Sequence, residues 1–439
     1  MRLRPATRHD FVALMGYHRR IGSVMGDDMK IKRFRASLVA FGLALALAGG
    51  AQAAPRGAAG DAFYVPPTPL PKGEKGGVIQ ARALSGTMAL PSAAKNLLVL
   101  YQSEDPKGAA VAVSGTISIP KGKPPAGGWP VITWTHGTVG LAAVCGPSRD
   151  TAKGPEHEYI AAIRPLLDAF VAKGYAVVAT DYQGLGVTGF HPFFQGVPNG
   201  KNALDLLRAA RTLEPAIGTR YAAMGHSQGG QADLFTAAIG PDYAPEFQLV
   251  GNVAMAPGAN MAGRFDAVRL SDKTELAVPY VLYALHSFST TDPAIDIARI
   301  LTPQALAHMA DLQKGCMTRT LTQGYWSTAI AKDQFLPKPD VTALLKVAAQ
   351  NEPGTLKISA PTLLMQGTAD VTVRPQDTDA VARDLCVKGN TLTYKTFPKT
   401  DHDGVMKAGA ADALAFLSDR FAGKPAASNC SDLPRAAAK

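Results

Sequence analysis

The sequence predicts an α/β architecture, with one mostly parallel sheet, helices on both faces and a helical cap inserted between two late strands. Three observations predict it. Short apolar runs bounded by Gly or Pro alternate several times with amphipathic stretches of helical period. The alternation lapses between Pro257 and Ser359, where only helix signals remain. With 439 residues, 46% of them hydrophobic and 18% charged, the chain can bury a large core and is neither fibrous nor disordered in composition.

The first 53 residues stand outside that core. Lys30, Lys32, Arg33 and Arg35 form a basic start, an apolar run follows from Leu38 to Ala48, and Ala51-Gln52-Ala53 supplies a small-residue cleavage site. This is the pattern of a secretory signal peptide, too short in its apolar part to span a bilayer comfortably. Met25 or Met29 is the natural start on this reading, and the stretch upstream is an extension. The formal charge of +10 is concentrated here, since these residues hold nine Lys/Arg and three Asp/Glu. The remaining 36 basic and 32 acidic residues leave +4, too little to argue for nucleic acid or an anionic membrane as partner. Export places the mature chain, secreted to periplasm or medium, where Cys145, Cys316, Cys386 and Cys430 are expected to pair. No CxxC spacing occurs, and composition alone leaves all three connectivities open.

Residues 54–90, which include "FYVPPTPLPKGEKGG" from Phe63, read as an extended N-terminal arm. The core is assigned to 91–256 and 360–423, the cap to 257–359 and a tail to 424–439. Strand candidates are Ala110 to Ile119, Val131 to Trp134, Tyr175 to Thr180, Tyr221 to Met224, Leu249 to Ala254, Thr362 to Gln366 and Thr391 to Phe397. Between them "PLLDAFVAKG" reads as a helix opening at Pro165 and stopping at Gly174, and "ALDLLRAARTL" as a second. The cap shows Thr302-Pro303 before Leu306, Met309 and Leu312, and Asp340 before Val341, Leu344 and Leu345. A closing helix runs through Leu414, Leu417 and Phe421. A cap placed this way covers the carboxyl edge of the sheet, where sites of open α/β folds lie.

One stretch carries chemistry by its context. In "YAAMGHSQGGQADL", Ser227 falls where a strand turns into a helix, walled by Gly225, Gly229 and Gly230. A nucleophile on so sharp a turn needs small neighbours, and the glycines let its Oγ project from the fold. A serine needs a base to take its proton and a third group to hold that base's tautomer. Asp370, ending "LLMQGTAD", and His402, in "TDHDG", follow in the required chain order at the ends of late strands. Asp401 and Asp403 flank His402 as alternative orienting acids or half of a metal site, but adjacent side chains rarely meet in the needed way, which favours Asp370. The backbone N–H of Gln228 supplies one oxyanion donor by position, and "THGTVG" offers Gly137 and Thr138 for the second.

Other features read as structure. "GLGVTG", from Gly184 to Gly189, matches GxGxxG, but "FHPFF" follows where a helix should begin, so no cofactor is expected. Phe190, Phe193 and Phe194 line or pack a loop near the pocket. Glu156, His157 and Glu158 lack HExxH spacing and read as a solvated helix start, so no metal is expected. Trp326 reads equally as a pocket wall or a core aromatic.

Taken together, "FYVPPTPLP", "VSGTISIP", "THGTVG", "CGPS", "GYAVVATDYQGLG", "HSQGGQADLF", "QGTADVTV" and "TDHDG" resemble the secretory lipases, a fungal and bacterial group of α/β-hydrolases, from about Phe63 to Phe421. The resemblance implies an α/β-hydrolase fold with Ser227, Asp370 and His402 as triad. It implies an oxyanion hole of Gln228 with Gly137 or Thr138, where fungal members carry Asp-Ser at the latter two. It also implies a lid over 257–359 and the disulfides Cys145 to Cys316 and Cys386 to Cys430. The implied activity is that of a secreted serine lipase or esterase working through an acyl-enzyme, without cofactor. Its partner is an ester or lipid small molecule, with transient contact at a lipid interface and a monomeric state. An aryl or polyester esterase, an acyltransferase and a catalytically inactive binding module stay open as alternatives.

Overall fold

The computed structural model describes residues 56–433. The signal segment lies outside them. Nine strands form one sheet in the order β1-β2-β3-β5-β4-β6-β7-β8-β9: β1 is Val78–Ala83, β2 Ala93–Glu104, β3 Ala110–Pro120, β4 Trp129–Thr135, β5 Ala176–Thr180, β6 Ile217–His226, β7 Gln248–Met255, β8 Thr362–Gly367 and β9 Leu392–Phe397. The first three are antiparallel to their neighbours, and the run from β5 through β4, β6, β7 and β8 to β9 is parallel. The inner parallel strands read as unbroken apolar runs because helices cover both of their faces, and all five residues of β5 are buried.

Chain order reverses at β4, which has β5 on one side and β6 on the other. The carboxyl ends of β4 and β6 therefore lie side by side with loops departing in opposite directions, the crevice in which open α/β sheets bind ligands. Helix α1 (His157–Ala172) connects β4 to β5, α2 (Gly196–Leu213) connects β5 to β6, and α3 (Gln228–Tyr243) follows β6.

Two strands escaped the sequence reading. β1 lies within residues 54–90, taken above as an arm, and β2 precedes the first strand candidate. β2 ends in Gln102, Ser103 and Glu104, which look like a loop yet are buried. They are affordable there because each is partnered: Gln102 donates to the Pro71 carbonyl at 2.7 Å, Ser103 to Asp205 at 2.7 Å, and Glu104 pairs with Lys75 and Lys201. The arm is also partly core, with Phe63 and Tyr64 buried. α1 begins eight residues before Pro165, which sits inside it. Burial of Ile160 and Ile163 in the first turns offsets the hydrogen bond that proline removes.

Between β7 and β8 lie α4 (Met261–Leu270), α5 (Ala277–Thr291), α6 (Pro303–His308), α7 (Met317–Thr322) and α8 (Thr342–Gln350). Thr302 caps α6 by accepting from the Ala305 N–H, with Pro303 at the first helical position. These helices share an apolar core of their own, built on Phe265, Leu282, Phe288, Leu312 and Trp326. Trp326 is a core aromatic, its indole donating to the His308 carbonyl at 3.0 Å. The disulfide Cys145–Cys316 joins the loop after β4 to this layer, and Cys386–Cys430 ties α9 (Pro375–Val387) to the chain beyond α11 (Ala410–Phe421). On a chain-entropy basis loops of these lengths contribute about 4–5 kcal/mol each.

The helical layer is also closed at its base. Glu352, after α8, accepts from the Asn260 N–H at 2.9 Å, and the Asn260 side chain donates to Asp377 at 2.8 Å. Burial pushes Glu352 up to about 7, with the charges of Asp377 and Asp384 adding to it and the Asn260 bond opposing. The folded chain therefore holds a proton that the unfolded chain has lost, between about pH 4.5 and pH 7. That contribution to stability declines across this window as pH rises and is gone above it. Glu352→Gln keeps the acceptor and removes the charge, so its Tm relative to the parent should rise from pH 5 to pH 8 by calorimetry; an equal difference at both pH values would refute the assignment.

Candidate active site

Ser227 occupies the turn between β6 and α3 with φ 61° and ψ −125°, a region that side chains other than glycine rarely enter. Three backbone bonds hold it there. Its N–H donates to the Met255 carbonyl at 2.9 Å, and its own carbonyl accepts from Gly258 at 2.8 Å and Gln231 at 3.2 Å. A methyl group on Gly229 would strike the backbone of Thr135 in β4, and one on Gly225 would strike Gly229. The glycines are thus required by the approach of α3 to β4.

The other two polar residues meet across neighbouring loops. Thr368 N–H bonds the Phe397 carbonyl and Ala369 N–H the Thr400 carbonyl, both at 2.9 Å, so the loops after β8 and β9 are held together. Asp370 Oδ2 then lies 2.7 Å from His402 Nδ1. The same carboxylate accepts from the N–H groups of Thr372 and Val373 at 2.8 and 2.9 Å and from the Gln366 amide at 3.1 Å. Burial opposes its charge, but the bonds from His402, Val373 and Gln366 outweigh it and hold the carboxyl below its ordinary range. Asp401 instead accepts from the Gly404 N–H at 2.8 Å, at the start of α10 (Gly404–Ala408). Asp403 faces the cavity with Ser227 and His402.

That cavity has a volume of about 410 Å³ and is lined by Thr138, Ser227, Tyr159, Tyr280 and His402 among others. A narrow, mostly apolar cleft shares Thr138, Ser227, Tyr280 and Thr372 with this cavity and is otherwise lined by Gln228, Phe193, Phe194, Met261 and Arg264 among others. Gln228 is the first residue of α3, where N–H groups have no partner within the helix. Its side chain is held by His191 at 3.1 Å. Burial drives His191 down to about 3, which keeps it neutral. Gly137 also sits at the site, but its N–H donates to the Tyr159 hydroxyl at 2.6 Å, leaving Thr138 as the residue of this loop that faces the cavity.

Tyr159, His226 and Glu156 were not singled out as site residues in the sequence. The Tyr159 hydroxyl accepts from Gly137 and lies 3.1 Å from His226 Nδ1, while His226 Nε2 lies 3.0 Å from the His402 carbonyl. Burial and the neighbouring His402 push His226 well below its ordinary range, so it is neutral. With Nε2–H donating to the carbonyl, Nδ1 accepts from Tyr159, and one chain of hydrogen bonds runs from the Gly137 loop to the backbone of His402. Although His226, His402 and Asp403 bring ligand atoms within 4.8 Å, both nitrogens of His226 are engaged, and the trio is not a ready cation site. The expectation of a solvated start to α1 is corrected at Glu156. It is 8% exposed because its carboxylate accepts from the Thr318 N–H at 2.8 Å. Spacing alone gave no signal for it, since the partner lies 162 residues away.

Residues 160–429 match the model of the secretory lipase family, more than half of the chain. The chain belongs to the secretory lipase family. Among its relatives, a probable inactive lipase of Mycobacterium tuberculosis is 26% identical over 388 residues, covering 83% of this chain and 82% of the relative. Lipase 6 of Candida albicans is 25% identical over 411 residues, covering 86% and 84%. Among solved structures, Candida antarctica lipase A superimposes with a TM-score of 0.67 at 20% identity, covering 86% of this chain and 89% of that one. This last likeness establishes the α/β-hydrolase fold.

Removing the Tyr159 hydroxyl would leave the Gly137 N–H and His226 Nδ1 unpaired in a buried place, a penalty of about 1–3 kcal/mol. Tyr159→Phe should lower kcat for ester hydrolysis about tenfold or more while KM changes little, read by steady-state kinetics. A fall in Tm with kcat unchanged would mean that the hydroxyl serves the fold alone.

Proposed function

We propose that this chain is a secreted serine carboxylic-ester hydrolase in which Ser227 attacks, His402 moves the proton and Asp370 orients His402. The observation that carries this reading is the 2.7 Å bond from Asp370 to His402 Nδ1, which leaves Nε2 as the free nitrogen of an imidazole sharing one cavity with the strained Ser227. His402 Nε2 takes the hydroxyl proton as Oγ bonds to the ester carbonyl carbon. The resulting oxyanion is met by the N–H of Gln228 and by Thr138. His402 then gives the proton to the departing alkoxide, which leaves as the alcohol. Water repeats the sequence on the acyl-Ser227 ester and releases the carboxylic acid. The two disulfides and the family support secretion, and no helix of the described residues is long and apolar enough to cross a membrane.

The acyl part fits the mostly apolar cleft of Phe193, Phe194 and Met261, and the family points to lipid esters as substrates. A non-catalytic reading has one observation in its favour, the relative named a probable inactive lipase. The bond between Asp370 and His402, and the cavity that His402 shares with Ser227, weigh against it here.

The test is hydrolysis of p-nitrophenyl esters from acetate to palmitate by the mature chain, beside Ser227→Ala and a fluorophosphonate label. Turnover should fall on the order of a millionfold in the variant, with loss of labelling. Equal turnover in both proteins would assign the nucleophile elsewhere, and the absence of turnover and labelling in the parent would favour a binding module.

A further inference from the structure

The reading of Ser227 and His402 given above also orients the substrate. His402 must protonate the leaving alkoxide, so the alcohol part lies on the His402 side, in the larger cavity. The acyl part then lies in the cleft beside Gln228. The two spaces differ in charge. The ionisable acids on the wall of the alcohol-side cavity are Glu156, Glu158 and Asp403, and neither Lys nor Arg lines it.

Glu156 is the unusual member. As a residue it is 8% exposed, and it lines this cavity. Its hydrogen bonds go to Thr318 alone, and among the described residues no cation pairs with it. A buried carboxylate without a counter-charge is costly unless something supplies one. Burial accordingly pushes it up to about 7 against the pull of Thr318. Glu158 and Asp403 are exposed at the mouth of the same space, and the aromatic side chains of Tyr159 and Tyr280 complete it. Carboxylates combined with aromatic side chains form a setting that favours an organic cation over an anion or a plain alkyl group.

We propose that the cavity beside His402 is a subsite for a cationic alcohol, so that esters of amino alcohols or quaternary-ammonium alcohols are preferred substrates. The positive group sits against Glu156, the ester carbonyl lies at Ser227, and the acyl chain enters the apolar cleft. Hydrolysis releases the protonated or quaternary alcohol and the carboxylate. The same charges repel the carboxylate product from the space that the alcohol vacates.

The probe is a pair of isosteres, butyrylcholine and 3,3-dimethylbutyl butyrate, which differ in one positive charge. Butyrate release is measured at low ionic strength with the parent and with Glu156→Gln, which keeps the acceptor for Thr318. In the parent, kcat/KM should be about tenfold higher for the choline ester, and the ratio should collapse toward one in Glu156→Gln and at high salt. Taking a ratio within each protein cancels any general loss of active enzyme. A ratio at or below one in the parent, or the same ratio in parent and variant, overturns the proposal. So does a glyceryl butyrate cleaved faster than the choline ester, which would make this a polyol subsite. If p-nitrophenyl butyrate is cleaved while the ratio stays at one, only the subsite falls. If no butyrate ester is cleaved, the hydrolase reading fails and the subsite with it.

Discussion

The positive φ of Ser227 is the constraint on which the rest of the site depends. Such a backbone costs about 1–3 kcal/mol and persists only where its surroundings over-determine it. Here the surroundings are three strands and a helix. The Met255 end of β7 accepts from the turn, the chain at Gly258 donates to it, and Thr135 of β4 packs so close to α3 that Gly229 admits no side chain. None of these contacts exists unless β4, β6 and β7 are neighbours in parallel register. The order reversal at β4 then places Thr138 beside the turn without further provision.

Electrostatics divides the site as sharply as the backbone defines it. Asp370, the carboxylate bonded to His402, is surrounded by donors and held below its ordinary range. Glu156, in the same cavity system, has only Thr318 and is pushed the other way. Two acids on either side of His402, one bonded to it and one on the wall of its cavity, are thus separated by what their neighbours donate. His226 and His191 make the complementary point. Both are buried neutral imidazoles, and each spends its nitrogens on holding a loop in place.

Local signals in the sequence carried the architecture, because strand runs and helix caps are written in consecutive residues. "VITW", "AVVAT" and Thr302-Pro303 each lie in the element read from them. The elbow was legible for the same reason: strand, serine, glycines and helix fit within fourteen residues. What escaped depends on partners distant in sequence. The polar end of β2 looks like a loop until Asp205 and Lys201 are brought to it, and Glu156 looks solvated until Thr318 arrives. Tyr159 and His226 were invisible because each is an ordinary residue for its element, α1 and β6. Only their approach across the sheet's edge turns them into a link.

The corner around Cys316 restricts how the helical layer can move. Within three residues the layer is fastened to the core by the Cys145–Cys316 disulfide, by the Met317 N–H to the Val139 carbonyl at 2.9 Å and by the Thr318 N–H to Glu156. A covalent bond flanked by two hydrogen bonds fixes this corner, and the bonds of Asn260 to Glu352 and Asp377 fix the layer a second time at its base. The acid-lined end of the cavity is therefore firmly held, because Glu156 on its wall is itself one of the partners that fasten the layer there.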